Sequence, residues 1–105
     1  RSTWNESGSS ITKVARFPPR VRFDNSTSEQ FTILDVFTHD RMGLLYVITR
    51  ALFEVQVSVS IAKIGTYVDQ VVDVFYVTDR AGQKITNERR IEEIKVKLLD
   101  AIDDG

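Results

Sequence analysis

Phe31-Thr32-Ile33-Leu34-Asp35-Val36-Phe37-Thr38-His39-Asp40-Arg41-Met42-Gly43-Leu44-Leu45 carries two different periodicities on either side of a short polar interruption. Residues 31–38 are β-branched and aromatic, with apolar groups on both faces, as a strand in the middle of its sheet requires. From Leu44 the repeat changes. Leu44, Ile48, Ala51, Leu52 and Val55 fall at i, i+4, i+7, i+8 and i+11, one face of an amphipathic helix, while Arg50 and Glu54 lie off that stripe. A strand therefore becomes a helix across five residues, His39 to Gly43.

Working outward, Phe17-Pro18-Pro19 holds the backbone extended, because proline fixes its own φ and pushes the preceding residue out of the helical region. Val21 and Phe23 then alternate with Arg20, Arg22 and Asp24 as a short amphipathic strand. Asp24-Asn25-Ser26-Thr27-Ser28 is turn chemistry, since these side chains bond their own backbone. Residues 1–15 are rich in Ser, Thr, Asn and Gly without an apolar period, so they are expected to form a flexible segment or linker before a domain over residues 16–105. Trp4 alone argues for some contact there.

Beyond the helix, Val57, Val59 and Ile61 alternate with Ser58, Ser60 and Ala62, then the phase slips so that Ile64 continues on the other parity. A β-bulge near residues 61–63 is the expected cause. Tyr67-Val68-Asp69-Gln70 reads as a hairpin tip, and Val71-Val72-Asp73-Val74-Phe75-Tyr76-Val77-Thr78 as the strongest strand in the chain. Asp79-Arg80-Ala81-Gly82 closes it with a turn. Thr86 or Asn87 is placed to cap a second helix, Glu88 suits its positive first turn, and Ile91, Ile94, Leu98, Leu99 and Ile102 make its buried stripe.

The order β, β, α, β, β, α predicts an α+β fold: a ferredoxin-like four-stranded antiparallel sheet with two helices on one face. The usual ferredoxin-like order ends in a strand, whereas this chain ends in a helix. Residues 20–24 are therefore expected to fill the vacant edge beside the central strand 31–38, giving a circularly permuted ββαββα version.

Composition removes several classes of function. A chain of 105 residues with 42% hydrophobic residues fits one domain with its own core. Fourteen basic against fifteen acidic residues leave a net charge of −1, with no broad positive field for a nucleic acid. No cysteine is present, so disulfides and thiolate metal sites are impossible, which suits a cytoplasmic location. The apolar runs are far shorter than the roughly 20 residues that cross a bilayer, so no membrane partner is expected. The opening RSTWNESGSS has no basic-then-apolar signal pattern, and its lack of an initial methionine reads as a piece cut from a longer chain.

The junction Asp40, Arg41, Met42, Gly43 and Leu44 is where chemistry is expected. Unbonded N–H groups at a helix start, together with the helix dipole, seat a carboxylate, and Gly43 lets a ligand approach the backbone. Asp40 has two open roles that do not exclude each other: capping the helix, or receiving the ammonium of a zwitterionic ligand. His39-Asp40 spells a pair used by metal-dependent phosphohydrolases, but the chain has a single histidine and cannot assemble such a site. No metal and no cofactor are expected. Nor is there a glycine-flanked nucleophile or a phosphate loop, so no catalytic residue is assigned. Asp73, a charge inside an apolar strand, is expected to face solvent or an interface on the open side of the sheet. The same topology serves RNA-binding modules, yet Phe75 and Tyr76 are adjacent and must point to opposite faces, and Asp73 repels phosphate.

Asp40-Arg41-Met42-Gly43-Leu44-Leu45, Ala51-Leu52-Phe53, Ala62-Lys63-Ile64-Gly65-Thr66 and Val72-Asp73-Val74-Phe75-Tyr76-Val77-Thr78-Asp79 together resemble an ACT domain, over residues 31–102. More closely, the run from Pro19-Arg20-Val21-Arg22-Phe23-Asp24-Asn25 through Thr78-Asp79 is similar to the C-terminal regulatory region of the PII uridylyltransferase/uridylyl-removing enzymes. The resemblance implies a regulatory domain that binds an amino acid, with glutamine favoured as the signal of nitrogen sufficiency. The catalytic parts, which act on the PII signalling protein, would lie outside this chain. It also implies pairing with a second copy or a sister ACT domain. Carried over by position, Asp40, Arg41, Met42, Gly43 and Leu44 would surround the ligand, with Val57, Ser58, Val59 and Ser60 of a neighbour as the opposing wall. A structural dimerisation module without a ligand, or an ACT domain of another amino-acid-regulated enzyme, is the alternative. Two departures stand out. Met42 occupies a position where the family commonly has proline, and Glu54-Val55-Gln56 replaces a common glycine, which would force Gln56 into a left-handed conformation.

Overall fold

The computed structural model describes residues 18–39, 43–67 and 70–104; residues 1–17, with Trp4 and Phe17, lie outside that description, as do Asp40, Arg41, Met42, Val68, Asp69 and Gly105. The elements are β1 (Arg20–Asp24), β2 (Thr32–Thr38), α1 (Leu44–Glu54), β3 (Val57–Tyr67), β4 (Gln70–Asp79) and α2 (Glu88–Asp104). They form one sheet in the order β1-β2-β4-β3, antiparallel at every pairing. β1 fills the edge beside β2, with Val21 opposite Val36 and Phe23 opposite Leu34, so the permuted ferredoxin-like arrangement is the one adopted. β2 and β3 run parallel on either side of β4, and α1 is the crossover between them.

Alternation along the strands sorts the side chains. Val21, Leu34, Val36, Phe75 and Val77 face the helices and join Leu44, Ile48, Ala51 and Leu52 of α1 with Ile94, Leu98 and Ile102 of α2 in one core. Ile33 is also buried although its parity is opposite, so β2 is apolar on both faces, as its composition requires. Phe75 is fully buried on the helix side while Tyr76 is half-buried on the other.

The bulge lies earlier than the sequence suggested. The register shifts between Val59 and Ile61, so Ser60 is the extra residue. Val57 and Val59 face the helices before the shift; Ala62 and Ile64, opposite Phe75 and Asp73, do so after it. Ile61 is already across, opposite Tyr76. The change of phase was legible in the chain, but several residues satisfy it equally, and cross-strand pairing chooses among them.

Asp73 corrects a second expectation. It is 2% exposed and sits opposite Val36, on the same side as Phe75 and Val77, so it faces the helix layer and not solvent or the open side. Period-2 alternation in a strand anchored by Phe75 and Val77 leaves its side chain no other direction, and strand geometry outweighs the penalty of burying a carboxylate.

Local chemistry ends the elements. Asp24 accepts hydrogen bonds from the Thr27 hydroxyl at 2.6 Å, the Ser26 amide at 2.9 Å and the Ser26 hydroxyl at 3.0 Å, which hold its carboxyl well below the usual carboxylate range. Asn87 caps α2, its Oδ1 accepting from the Arg90 amide at 2.9 Å, while Thr86 is exposed. At the other end of α1 the backbone reverses at Gln56, with φ 65°, as expected for a residue standing in a glycine position. The Arg90 guanidinium donates to the Val55 carbonyl, bringing positive charge to the negative end of α1.

Candidate functional site

β2 delivers the chain to the junction with Thr38 buried and His39 half-buried, and the described chain resumes at Gly43. Gly43 is the N-cap of α1 with φ 77°, a left-handed conformation that glycine adopts without penalty. Among the described residues, its chain neighbours aside, no atom lies within 4 Å of the position a Cβ would take there. The cap residue thus has no side chain to bond the first-turn amides, and the first turn of α1 contains no acidic residue. The first intrahelical bond runs from the Val47 amide to the Gly43 carbonyl at 3.0 Å, so the amides of Leu44, Leu45 and Tyr46 precede it. Leu44 itself sends its side chain into the core and offers only backbone. Asp40, Arg41 and Met42 belong to this loop in sequence but lie outside the described residues.

The other half of the expected site lies far from Gly43 within the chain. Val57, Ser58, Val59 and Ser60 begin β3, just beyond the C-terminal end of α1. An 11-residue helix separates the two groups by about 16 Å at 1.5 Å per residue. One copy cannot close both on a small ligand. Of the four, Val57 is part of the core, while Ser58, Val59 and Ser60 are exposed.

Three residues that the sequence did not assign to the site gather around that wall. Thr49, Phe53 and Arg80, with Val57, Ser58 and Val59, line an open hollow of about 450 Å³. Val57 pairs with Asp79, which brings Arg80 beside the first turn of β3. The Arg80 Cζ stands 5.6 Å from the centroid of the Phe53 ring. Phe53 is off the apolar stripe of α1 and 69% exposed, which was the one available signal, since an exposed aromatic off the buried face has no role in the core.

A hollow of similar volume, about 460 Å³, opens at the start of α2. Three of its polar groups are committed to the fold: Lys84 donates to the Asn25 and Ser28 carbonyls, Asn87 caps α2, and Arg90 binds the Val55 carbonyl. Across the helix layer, Glu54 joins Arg50 of its own helix to Lys97 of α2, and the Lys97 ammonium holds its carboxyl below the ordinary value. On the sheet face away from the helices, Phe31 and Tyr76 meet edge to face at 6.0 Å, and Lys63 stands over Tyr76. Asp35 on that face has its pKa raised by burial, against the pull of Arg22 at 3.9 Å. Among the described residues no group of three or more His, Asp or Glu side chains could hold a metal ion, and no helix is long and apolar enough to cross a membrane.

Residues 20–103 match a family model described as an ACR9-like, ACT-like domain. Among curated proteins, the chain is 45% identical over 95 residues to a bifunctional uridylyltransferase/uridylyl-removing enzyme of Azospirillum brasilense, which covers 90% of this chain and 10% of that one. It is 50% identical over 87 residues to the protein of the same name from Erythrobacter litoralis, covering 83% of this chain and 10% of the relative. The chain therefore spans about a tenth of the length of the curated relatives it matches. No solved structure matches it.

Proposed function

Because this chain belongs to the ACT-like domain family and shares most of its length with bifunctional uridylyltransferase/uridylyl-removing enzymes, we propose that it senses an amino acid for such an enzyme. Glutamine is the favoured ligand, and the transferase and removing activities toward the PII signalling protein reside in the rest of the parent chain. The domain itself performs no chemistry. Its ligand carboxylate rests on the amides that open α1, and the rest of the ligand lies against β3 of a second copy or a sister domain.

The observation that carries this reading is Gly43: an exposed, left-handed N-cap that no other described element crowds, ahead of three amides that the helix does not use. Regulation follows only if ligand affinity differs between two docked arrangements of the domain, because a ligand shifts an equilibrium by its differential affinity. Calorimetry of the chain with glutamine at millimolar concentration tests the idea, with Gly43→Val as control. Absence of heat from the unaltered chain removes the sensing role.

A second reading is favoured by β3. This strand is an edge of 11 residues carrying exposed Val59, Ile61 and Ile64, an apolar surface on either side of the bulge at Ser60. A structural pairing module would use this edge without any ligand. Sedimentation separates the two: a dimer whose mass is indifferent to glutamine, together with silent calorimetry, supports scaffolding alone.

A further inference from the structure

The hollow beside β3 contains more than a wall. Phe53 presents a largely exposed ring, Arg80 stands over it, and Ser58 and Val59 are exposed at its rim. The Thr49 hydroxyl is already bonded to the Leu45 and Tyr46 carbonyls, so this residue contributes no free donor. Among the described residues Arg80 forms no ion pair, in contrast to Arg22, Arg50 and Arg90. A guanidinium held against an aromatic ring has its N–H groups left for an oxygen acceptor, and the ring offers an apolar bed for methylenes. The volume of about 450 Å³ lies in the range of small-molecule sites.

We propose that Arg80 and Phe53 are the specificity-determining residues of the ligand site, selecting an amino acid whose side chain ends in an acyl oxygen. Arg80 of one copy donates to that oxygen, Phe53 packs on the side-chain methylenes, and the backbone end of the ligand is held at Gly43 of the other copy. The proposal rests on the amino-acid reading given above and adds to it which side chains are accepted. Amide and carboxylate termini both qualify; an aliphatic terminus leaves the guanidinium without its acceptor.

The test is calorimetry of the chain with glutamine, glutamate and 2-aminopentanoate, the last sharing the five-carbon chain but lacking the acyl group. The unaltered chain is expected to bind the first two at least about tenfold more tightly than the third, the effect of one charge-assisted hydrogen bond. Arg80→Ala should bring all three to the affinity of 2-aminopentanoate, and Arg80→Lys should restore part of the preference. Unfolding midpoints of both variants establish that the fold is kept, as expected for an exposed turn residue. A tenfold preference that survives in Arg80→Ala overturns the role of Arg80 and leaves the amino-acid reading standing. Loss of 2-aminopentanoate binding in that variant also overturns it, because a side-chain selector should not affect a ligand without the group selected. No binding of any of the three by the unaltered chain overturns the amino-acid reading, and the selection by Arg80 with it.

Discussion

The Ile85 amide donates to the Thr32 hydroxyl at 2.8 Å across 53 residues of sequence, fastening the approach to α2 onto the first residue of the central strand. Thr32 in turn donates to Asn25 Oδ1 at 2.5 Å, and Asn25 Nδ2 donates to the Ile85 carbonyl at 2.8 Å. Three residues from separate parts of the chain thus form a closed ring of hydrogen bonds around a fully buried threonine. Thr32→Val keeps the shape and the strand propensity but strands the Ile85 amide and Asn25 Oδ1. It should cost about 1–3 kcal/mol, the penalty for unsatisfied buried groups. Denaturant unfolding reads this as a lower midpoint at unchanged slope, and an unchanged midpoint would deny the ring its role.

Gln56 occupies a left-handed backbone with φ 65° between α1 and β3. Gln56→Gly should raise stability by about 0.5–1 kcal/mol, the relieved strain exceeding the entropy glycine adds to the unfolded chain. Gln56→Val should lower it, because a β-branched side chain tolerates this region worst. Thermal unfolding of the two variants against the parent checks the opposite signs.

Asp24 gives the acid limb of the stability curve a direction. Its carboxyl is held well below the ordinary value of 3.8, first by the Thr27 hydroxyl and then by Ser26. A group depressed in the folded state stabilises it fully above the unfolded pKa and loses that contribution as pH falls toward the folded pKa. Asp24→Asn should therefore flatten the loss of stability below about pH 4 and leave its slope near neutral pH unaltered. Unfolding midpoints measured from neutral to strongly acidic pH decide it; parallel curves for both proteins would count against the turn as a source of acid sensitivity.

Phe75 is the largest fully buried side chain among the described residues and belongs to the core that both helices share. Phe75→Ala should destabilise the domain by about 3–5 kcal/mol, through lost transfer energy and the cavity left behind. Such a loss is a large part of a typical domain's stability, so the variant should be substantially unfolded or molten, visible as lost near-UV dichroism.

Much of the architecture was legible because local rules and the global fold agree. The change of period at Leu44 located α1, the alternation of Val21 and Phe23 identified β1, and the count of strands and helices left one vacant edge for β1 to fill. Gln56 was flagged from a missing glycine, and its positive φ follows. The bulge was anticipated but misplaced, since a parity change constrains a short window and only the pairing of Ile61 with Tyr76 fixes Ser60 as the extra residue.

The candidate site divides along the same line. Gly43 could be found from sequence because a glycine at a strand-to-helix junction is a local feature with a local reason. Thr49 and Arg80 could not, because each is ordinary in its own neighbourhood, and Phe53 gave only the hint of an aromatic off the buried stripe. They acquire a shared meaning only when the Val57 and Asp79 pairing folds the end of β4 against the end of α1.

What the sequence determined by itself was the order and type of six elements and the buried stripes of the two helices, since periodicity and turn chemistry act over a few residues. The tertiary structure alone decided that Asp73 points inward, that Thr32 closes on Ile85, and that Gly43 and Ser58 lie at opposite ends of α1. Those outcomes depend on which strands pair and in what register, a choice made by long-range packing that no short window of residues contains.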